Sequence, residues 1–199
     1  STSLIPRTNV VDIAVGAMTI LTSVMQFAML PLQGVGQGSQ PIISYNYGAK
    51  NVDRVKSAFK LLLKVSLTYS VFLWLCVMIF PQVFAGMFTS DATLLAFTAK
   101  ALRIYLACLF MFGIQIACQM TFTSIGRAKA SIIVAVMRKF ILLIPLIYIM
   151  PAILHSNQTM AVYMAEPIAD FLAVTFTAVL FFFEFRKALR ELFVKYFLS

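Results

Sequence analysis

Long apolar stretches, separated by short polar or proline-containing segments, dominate the chain. Each stretch has at least the roughly twenty residues that an α-helix needs to cross a lipid bilayer. Pro81, Gly126 and Pro151 lie where three of the stretches end. The pattern predicts an all-α, polytopic membrane helix bundle. Its five spanning helices are expected at about 12–45, 52–80, 91–124, 130–150 and 160–185.

The two ends of the chain lack such a stretch. Residues 1–11 carry no long apolar run, and we predict an irregular start there. Residues 186–199 alternate basic and apolar positions at helical spacing, which is typical of a helix that lies along a membrane surface. We therefore predict a cytoplasmic tail helix after the last span. Residues 155–159 are expected to form a polar loop.

Polar side chains inside the first predicted helix fall on one face. At 100° per residue, Gln33, Gln37 and Gln40 lie within about 40° of Gln26. Glutamines in a membrane helix either bond to neighbouring helices or line a water-accessible path. Because four amides exceed what pairing between helices requires, we predict a transport pathway along this face. The helix also contains five residues predicted to act as hinges, namely Pro31, Gly34, Gly36, Gly38 and Pro41.

Two later helices carry further polar residues. Gln115 and Gln119 lie one turn apart among aromatic residues and methionines, which suits either a pocket for variable ligands or an ordinary helix–helix core. Glu166 and Asp170 lie one turn apart near the outer end of the fifth helix. They are interpreted as an ion-coupling pair or as ion-pair partners of Arg103 on the third helix.

Charge and composition limit the class of protein. The chain is 61% hydrophobic and 12% charged, which excludes a soluble domain of 199 residues. The net charge of +9 is not read as nucleic-acid binding, because thirteen of the sixteen lysines and arginines cluster on one side of the predicted spans. These thirteen include Arg138 and Lys139, which are expected to flank the turn between the third and fourth helices. That side is expected to be cytoplasmic, together with the carboxyl terminus. Five spans then place the amino terminus outside, so we expect at least one helix upstream of this chain.

Enzyme chemistry finds no support in the sequence. The glycines at 34, 36 and 38 lack the spacing of a dinucleotide-binding motif, and no phosphate-binding loop of the Gly-Lys-Ser/Thr type occurs. The chain has one histidine, His155, and it is expected in a loop, so no zinc motif is predicted. We expect no enzyme activity, no metal and no cofactor.

Three motifs resemble a known family. GQGSQPIISYNYGAKN at 36–51 resembles the eighth-helix signature of the MATE multidrug and toxin extrusion transporters. SIGRAKAS at 124–131 resembles the turn between the tenth and eleventh helices of that family, and AEPIAD at 165–170 resembles the start of its twelfth. The motifs occur in the family's order and spacing, and they cover the chain after about residue 12.

The resemblance implies a function and partners. The chain would correspond to helices eight to twelve of a twelve-helix, two-lobe transporter, and an amino-terminal lobe would be missing. Transport would be secondary active efflux of amphipathic organic cations in exchange for protons or sodium, by alternating access in the cell inner membrane. Gln33, Gln37 and Gln40 would face the central cavity. Lipid, a small cationic substrate and the second lobe would be its partners.

Two other functions stay open at this point. The first is a lipid-linked oligosaccharide flippase of the same superfamily, whose cavity is expected to hold arginines for a pyrophosphate group. The sequence offers only Arg103 as a candidate within a helix, near its outer end, which counts against a flippase. The second is a product that does not transport, either a truncated chain or one subunit of a split transporter.

Overall fold

A computed structural model describes residues 7–153 and 158–197, which form helices joined by short turns with no strand among them. Three of the described α-helices have 28 residues or more, and two short non-α segments interrupt the series. The α-helices are α1 (Arg7–Gly48), α2 (Val52–Ile79), α3 (Pro81–Gly86), α4 (Ala92–Tyr105), α5 (Phe112–Ser124), α6 (Ala128–Val136), α7 (Ile144–Ile153) and α8 (Gln158–Phe197). A 3₁₀ turn, Leu109–Met111, precedes α5, and a π-helical segment, Met137–Leu143, joins α6 to α7.

The described helices confirm a polytopic membrane bundle. Four segments are long and apolar enough to cross a bilayer, and α4 and α5 together make a fifth, bent span. Large apolar side chains such as Phe27, Leu61, Phe72, Phe140 and Phe183 are exposed on the outside of the bundle. Lipid tails are the solvent that suits such a surface. The four unbroken spans are Asp12–Gly48, Val52–Ile79, Ala128–Ile149 and Tyr163–Leu192.

The prediction of an irregular start is wrong for residues 7–11. These residues are the first turns of α1, which begins at Arg7. Their sequence contains neither glycine nor proline, so nothing in it opposes a helix. Residues 1–6 lie outside the described part of the chain.

The third predicted helix is divided into two. α4 and α5 meet at a bend of 45° around the 3₁₀ turn. Side chains of α2 satisfy backbone carbonyls that the break leaves without helical partners. The indole Nε1 of Trp74 donates to the carbonyl of Ala107 at 2.9 Å, and the hydroxyl of Ser70 donates to the carbonyl of Phe110 at 2.9 Å. Such side-chain donors make a broken helix tolerable at membrane depth.

The tail predicted as a separate helix is instead the continuation of α8. This helix runs unbroken from Gln158 to Phe197, because no glycine or proline follows Pro167. Of the predicted polar loop, Gln158 and Thr159 belong to α8. Residues 155–157 fall outside the described residues.

The core lies where α1, α2, α4 and α5 meet. Its largest cluster joins Leu21 and Leu32 of α1 to Leu102 at the end of α4 and to Phe112 at the start of α5. Gly113 allows the closest approach in this region, because a Cβ atom there would lie 2.6 Å from the backbone oxygen of Ser66 on α2. A second layer is formed by α8, which packs on α5 and on the α6–α7 span.

Candidate functional site

The amide face of α1 is largely uncovered. Gln26, Gln33 and Gln37 are exposed, while Gln40 is half-buried. The side-chain Nε2 of Gln40 lies 3.0 Å from the sulfur of Met120 on α5. None of the four glutamines is sealed inside the bundle. The described helices therefore leave a polar strip on a surface that is otherwise apolar.

The predicted hinge residues occupy the same part of α1. Pro31, Gly34, Gly38 and Pro41 are all exposed, and α1 passes through both prolines without a break. A proline removes one backbone hydrogen bond of its helix, so each leaves a weakened point in α1. Whether these points bend stays a prediction.

Gly36 differs from the other glycines of this region. It is buried, and a Cβ atom there would lie 2.8 Å from Cγ of Met120 and 3.1 Å from Cγ2 of Ile116. Both distances are shorter than ordinary van der Waals contact. Gly36 therefore has a packing role, because its missing side chain lets α1 and α5 approach each other.

Gln115 and Gln119 lie on α5 in different environments. Gln115 is 6% exposed, and its side-chain oxygen has no hydrogen-bond partner among the protein atoms. Gln119 is half-buried. Gln115 thus lies inside the lobe and does not belong to the exposed strip on α1. Its part in a transport pathway stays a prediction.

A cluster of three charged residues lies between the π-helical segment and α8. Arg138 donates from Nε to Oδ1 of Asp170 at 2.7 Å, and its Nη2 lies 2.5 Å from the same oxygen. Nη2 also lies 3.6 Å from Oε1 of Glu166. The side chain of Asp170 is 2% exposed, and the ring of Phe112 lies 5.1 Å from the guanidinium carbon. One cation thus faces two carboxylates in a shielded site.

The ion-pair partner predicted for these carboxylates is wrong. Arg138 pairs with both, whereas Arg103 is exposed and lines a cavity of about 390 Å³ next to Lys100. The sequence predicts that Arg138 and Lys139 flank a turn at the basic side. Both residues in fact lie near the middle of the span Ala128–Ile149. Removing these two from the thirteen leaves eleven basic residues on that side.

The sequence does contain a signal for Arg138. The residue lies ten positions after the first residue of its span, and a charged side chain at that depth almost always faces the bundle interior or a water-filled cavity, where it pairs with another charge or a backbone carbonyl. The seven-residue π-helical segment around it, Met137–Leu143, also marks an unusual backbone. Such segments are frequent at functional sites.

Metal binding has no support in the part of the chain that the structure describes. Within residues 7–153 and 158–197, no group of three or more histidine, cysteine or acidic side chains is arranged to hold a metal ion. Glu166 and Asp170 are only two carboxylates, and both lie within ion-pair distance of Arg138.

The sequence matches a known protein family and several curated proteins. The MatE family model matches residues 8–149, more than half of the chain. The chain is 25% identical over 142 residues to multidrug export protein MepA of Staphylococcus aureus strain N315, and 26% identical over 145 residues to MepA of strain COL. These alignments cover 71% of this chain and 31% of MepA. The chain therefore spans about a third of the length of the curated relatives it matches.

Solved structures of MATE transporters contain helices that superpose on the helices of this chain. A MATE multidrug transporter, DinF-BH, solved as a complex, superposes with a TM-score of 0.72 at 34% identity, over 80% of this chain and 35% of the transporter. A MATE crystal structure in the bent conformation superposes with a TM-score of 0.80 over 88% of this chain and 38% of that protein. Its identity is 16%, so this second likeness concerns the fold alone.

Proposed function

Since the chain belongs to the MatE family, we propose that it is part of the carboxyl-terminal lobe of a multidrug efflux transporter. Its five spans would correspond to helices eight to twelve of a two-lobe protein. The amino-terminal lobe would come from the rest of the same polypeptide or from a second one. Transport would proceed by alternating access, as one lobe rocks against the other. The spans support an assignment to the cell inner membrane, with the basic side and the carboxyl terminus in the cytoplasm.

The exposed amide strip of α1 is the observation that carries this proposal. Gln26, Gln33 and Gln37 are exposed on a helix that is long and apolar enough to span a bilayer. An amide that faces lipid tails loses its hydrogen bonds to water, at a cost of several kcal/mol. A second lobe and a water-filled cavity between the lobes would remove this cost. The strip would then be one wall of the drug pathway.

The substrate class follows from the chemistry of the wall. Amide side chains accept and donate hydrogen bonds without fixing a charge, and the half-buried Met120 of α5, which contacts Gln40, can adapt to different shapes. Amphipathic organic cations suit such a surface, and aromatic faces attract them. Ethidium, a fluorescent cation of this class, is a suitable probe.

Ion coupling would use the cluster of Arg138, Glu166 and Asp170. One guanidinium against two carboxylates leaves an excess of one negative charge in a shielded site. A proton or a sodium ion would neutralise that charge, and its arrival or departure would change which helices the cluster holds together. We propose this cluster as the coupling site of the lobe.

The contacts of Arg138 also count against the alternative function, a lipid-linked oligosaccharide flippase. Arg138 is an arginine in the middle of a span, as a pyrophosphate-binding cavity would require. Its guanidinium is already engaged by Asp170 and Glu166. A headgroup would have to displace two carboxylates to reach it, which favours efflux of cations over transfer of an anionic lipid.

Replacing Gln37 tests the proposal. The chain is expressed as part of a restored full-length transporter in a drug-sensitive bacterial strain, and ethidium efflux is measured. We expect Gln37→Leu to lower the efflux rate about tenfold, the effect of one lost hydrogen bond of about 1.4 kcal/mol. Gln37→Asn keeps an amide and is expected to retain more activity. Equal loss of efflux and of protein in the membrane for Gln37→Leu would show that Gln37 only packs.

Expression of the chain without an amino-terminal lobe distinguishes the remaining alternative. We expect no ethidium efflux from the chain alone and restored efflux when the second lobe is supplied. Absence of efflux in both cases, with both lobes present in the membrane, would favour a product that does not transport.

A further inference from the structure

A cavity at the basic end of the bundle lies outside the amide strip and the ion cluster. Its volume is about 720 Å³, and it opens between the end of α1 and the last turns of α8. The spans Asp12–Gly48 and Tyr163–Leu192 both end at residues that line it. The cavity therefore lies at the border between hydrocarbon and water. Its lining residues are Tyr47, Gly48, Lys50, Lys187, Arg190, Glu191, Leu192 and Val194.

The charges of this cavity favour an anion. Lys50, Lys187 and Arg190 contribute three positive charges, against one carboxylate, Glu191. That carboxylate is engaged elsewhere, since its Oε2 lies 2.9 Å from Nη2 of Arg127. Among the described lining residues, the positive charges therefore outnumber the negative by three to one, and the one carboxylate is held by Arg127.

The backbone at Lys50 supplies an independent observation. Lys50 has φ = 56°, the only positive φ outside glycine among the described residues. It ends α1 in a motif in which its N–H donates to the carbonyl of Tyr47 at 3.1 Å, and the N–H of Asn51 donates to the carbonyl of Asn46 at 2.9 Å. Glycine is the usual residue at this position, because a side chain is strained there. Lys50 has this strained backbone and also lines the basic cavity, which points to a function of its side chain.

Apolar side chains form the rest of the wall. Leu192 is buried and Val194 is exposed beside the cations, and Tyr47 is half-buried. A phospholipid presents the matching pair of groups at this depth, with acyl chains beside the helices and a phosphate at the border. Basic pockets between membrane helices on the cytoplasmic side are known to hold anionic headgroups.

We propose that this cavity binds the phosphate headgroup of an anionic phospholipid through Lys50, Lys187 and Arg190. The lipid would hold the end of α1 against the end of α8, two helices that are far apart in the sequence. This inference does not depend on the transport function proposed above, because binding can be measured on the chain alone.

Native mass spectrometry of the purified chain tests the proposal. The protein is released from detergent with phosphatidylglycerol, with phosphatidylcholine, or with inorganic phosphate, and the retained adducts are counted. We expect phosphatidylglycerol to be retained in preference to the other two. Retention of inorganic phosphate to the same extent would overturn the assignment to a lipid. Equal retention of phosphatidylcholine would overturn the role of net charge.

Three variants locate the site. Lys50→Gly removes the cation and supplies the residue that the backbone favours, so folding is expected to be preserved. We expect it to lower retention of phosphatidylglycerol about fivefold, the change that follows when one basic residue leaves an anionic lipid. The double variant Lys187→Gln/Arg190→Gln is expected to lower it further. Lys56→Gln is the control, because Lys56 is exposed on α2 and does not line the cavity.

The thermal unfolding of each variant is recorded with and without phosphatidylglycerol. We expect the lipid to raise the unfolding temperature of the wild-type chain and of Lys56→Gln, and to have a smaller effect on Lys50→Gly. If phosphatidylglycerol is retained equally by the wild type and all three variants, the lipid binds elsewhere and the proposal is wrong.

Discussion

Arg138 places a positive charge beside two carboxylates in the interior of a membrane span. Its guanidinium contacts Asp170 with two nitrogens and lies within ion-pair distance of Glu166. Transfer of charged groups out of water costs free energy, and the attraction between the charges offsets this cost only while the partners stay in contact. The stability of the lobe therefore depends on this contact more than on any exposed pair.

Removing the guanidinium tests this dependence. We expect Arg138→Met to lower the free energy of unfolding by about 3–5 kcal/mol, because it leaves Asp170 charged, shielded and without its partner. The double variant Arg138→Met/Asp170→Leu removes both charges and is expected to recover part of the loss. Unfolding of the purified chain in detergent is the measurement.

Arg103 provides the matched control for that experiment. It is an exposed arginine on α4, outside every ion pair found among the described residues. We expect Arg103→Met to change stability by about 0.5 kcal/mol or less. A loss as large as that of Arg138→Met would contradict the assigned pairing.

Among the helices, close backbone contacts hold α1, α2 and α5 together. Gly36 lets α1 reach α5, and Gly113 lets α5 reach α2 at the bend of the third span. Membrane helices gain little from excluding lipid, so small residues at such contacts carry much of the packing. The side-chain bonds from Trp74 and Ser70 fix the same bend.

A single methyl group at Gly113 is expected to disturb this packing. The new Cβ atom would lie 2.6 Å from the backbone oxygen of Ser66, which cannot move without its helix. We expect Gly113→Ala to lower the free energy of unfolding by about 1–3 kcal/mol. Gly38→Ala is the control, because nothing lies within 4 Å of a Cβ atom there, and it is expected to be neutral or slightly stabilising. Similar losses for both variants would contradict the packing role of Gly113.

Across the described molecule, five spans place the connections on alternate sides of the membrane. The α1–α2 turn and the end of α8 lie on the basic side, together with Arg127, which pairs with Glu184 and Glu191 of α8. The α3–α4 connection lies on the other side. From the placement of lysine and arginine, we expect the basic side to face the cytoplasm.

Labelling of single cysteines tests this orientation. Asn51 and Ser90 are exposed in the α1–α2 and α3–α4 connections. We expect a membrane-impermeant maleimide to label Ser90→Cys in intact cells and Asn51→Cys only after the cells are opened. The wild-type chain measures the background from its three cysteines, Cys76, Cys108 and Cys118. The reverse pattern would invert the orientation.

Local sequence was enough to specify the spans and the amide strip. The length and apolarity of a run are properties of consecutive residues, and a bilayer responds to them directly. The helical period then places Gln26, Gln33 and Gln37 on one side without help from other helices. The positions of the prolines and glycines also predicted most ends of the spans, with exceptions at Arg7 and at the bend before Phe112.

Contacts between helices that are far apart in the sequence determined the ion pair of Arg138, the bend of the third span and the basic cavity. Arg138 and Asp170 are thirty-two residues apart, and only the packing of the π-helical segment on α8 brings them together. The bend of the third span depends on donors from α2, and the basic cavity depends on α1 ending beside α8. Each of these features is a contact between distant residues, and local periodicity contains no information about which distant helix becomes the neighbour.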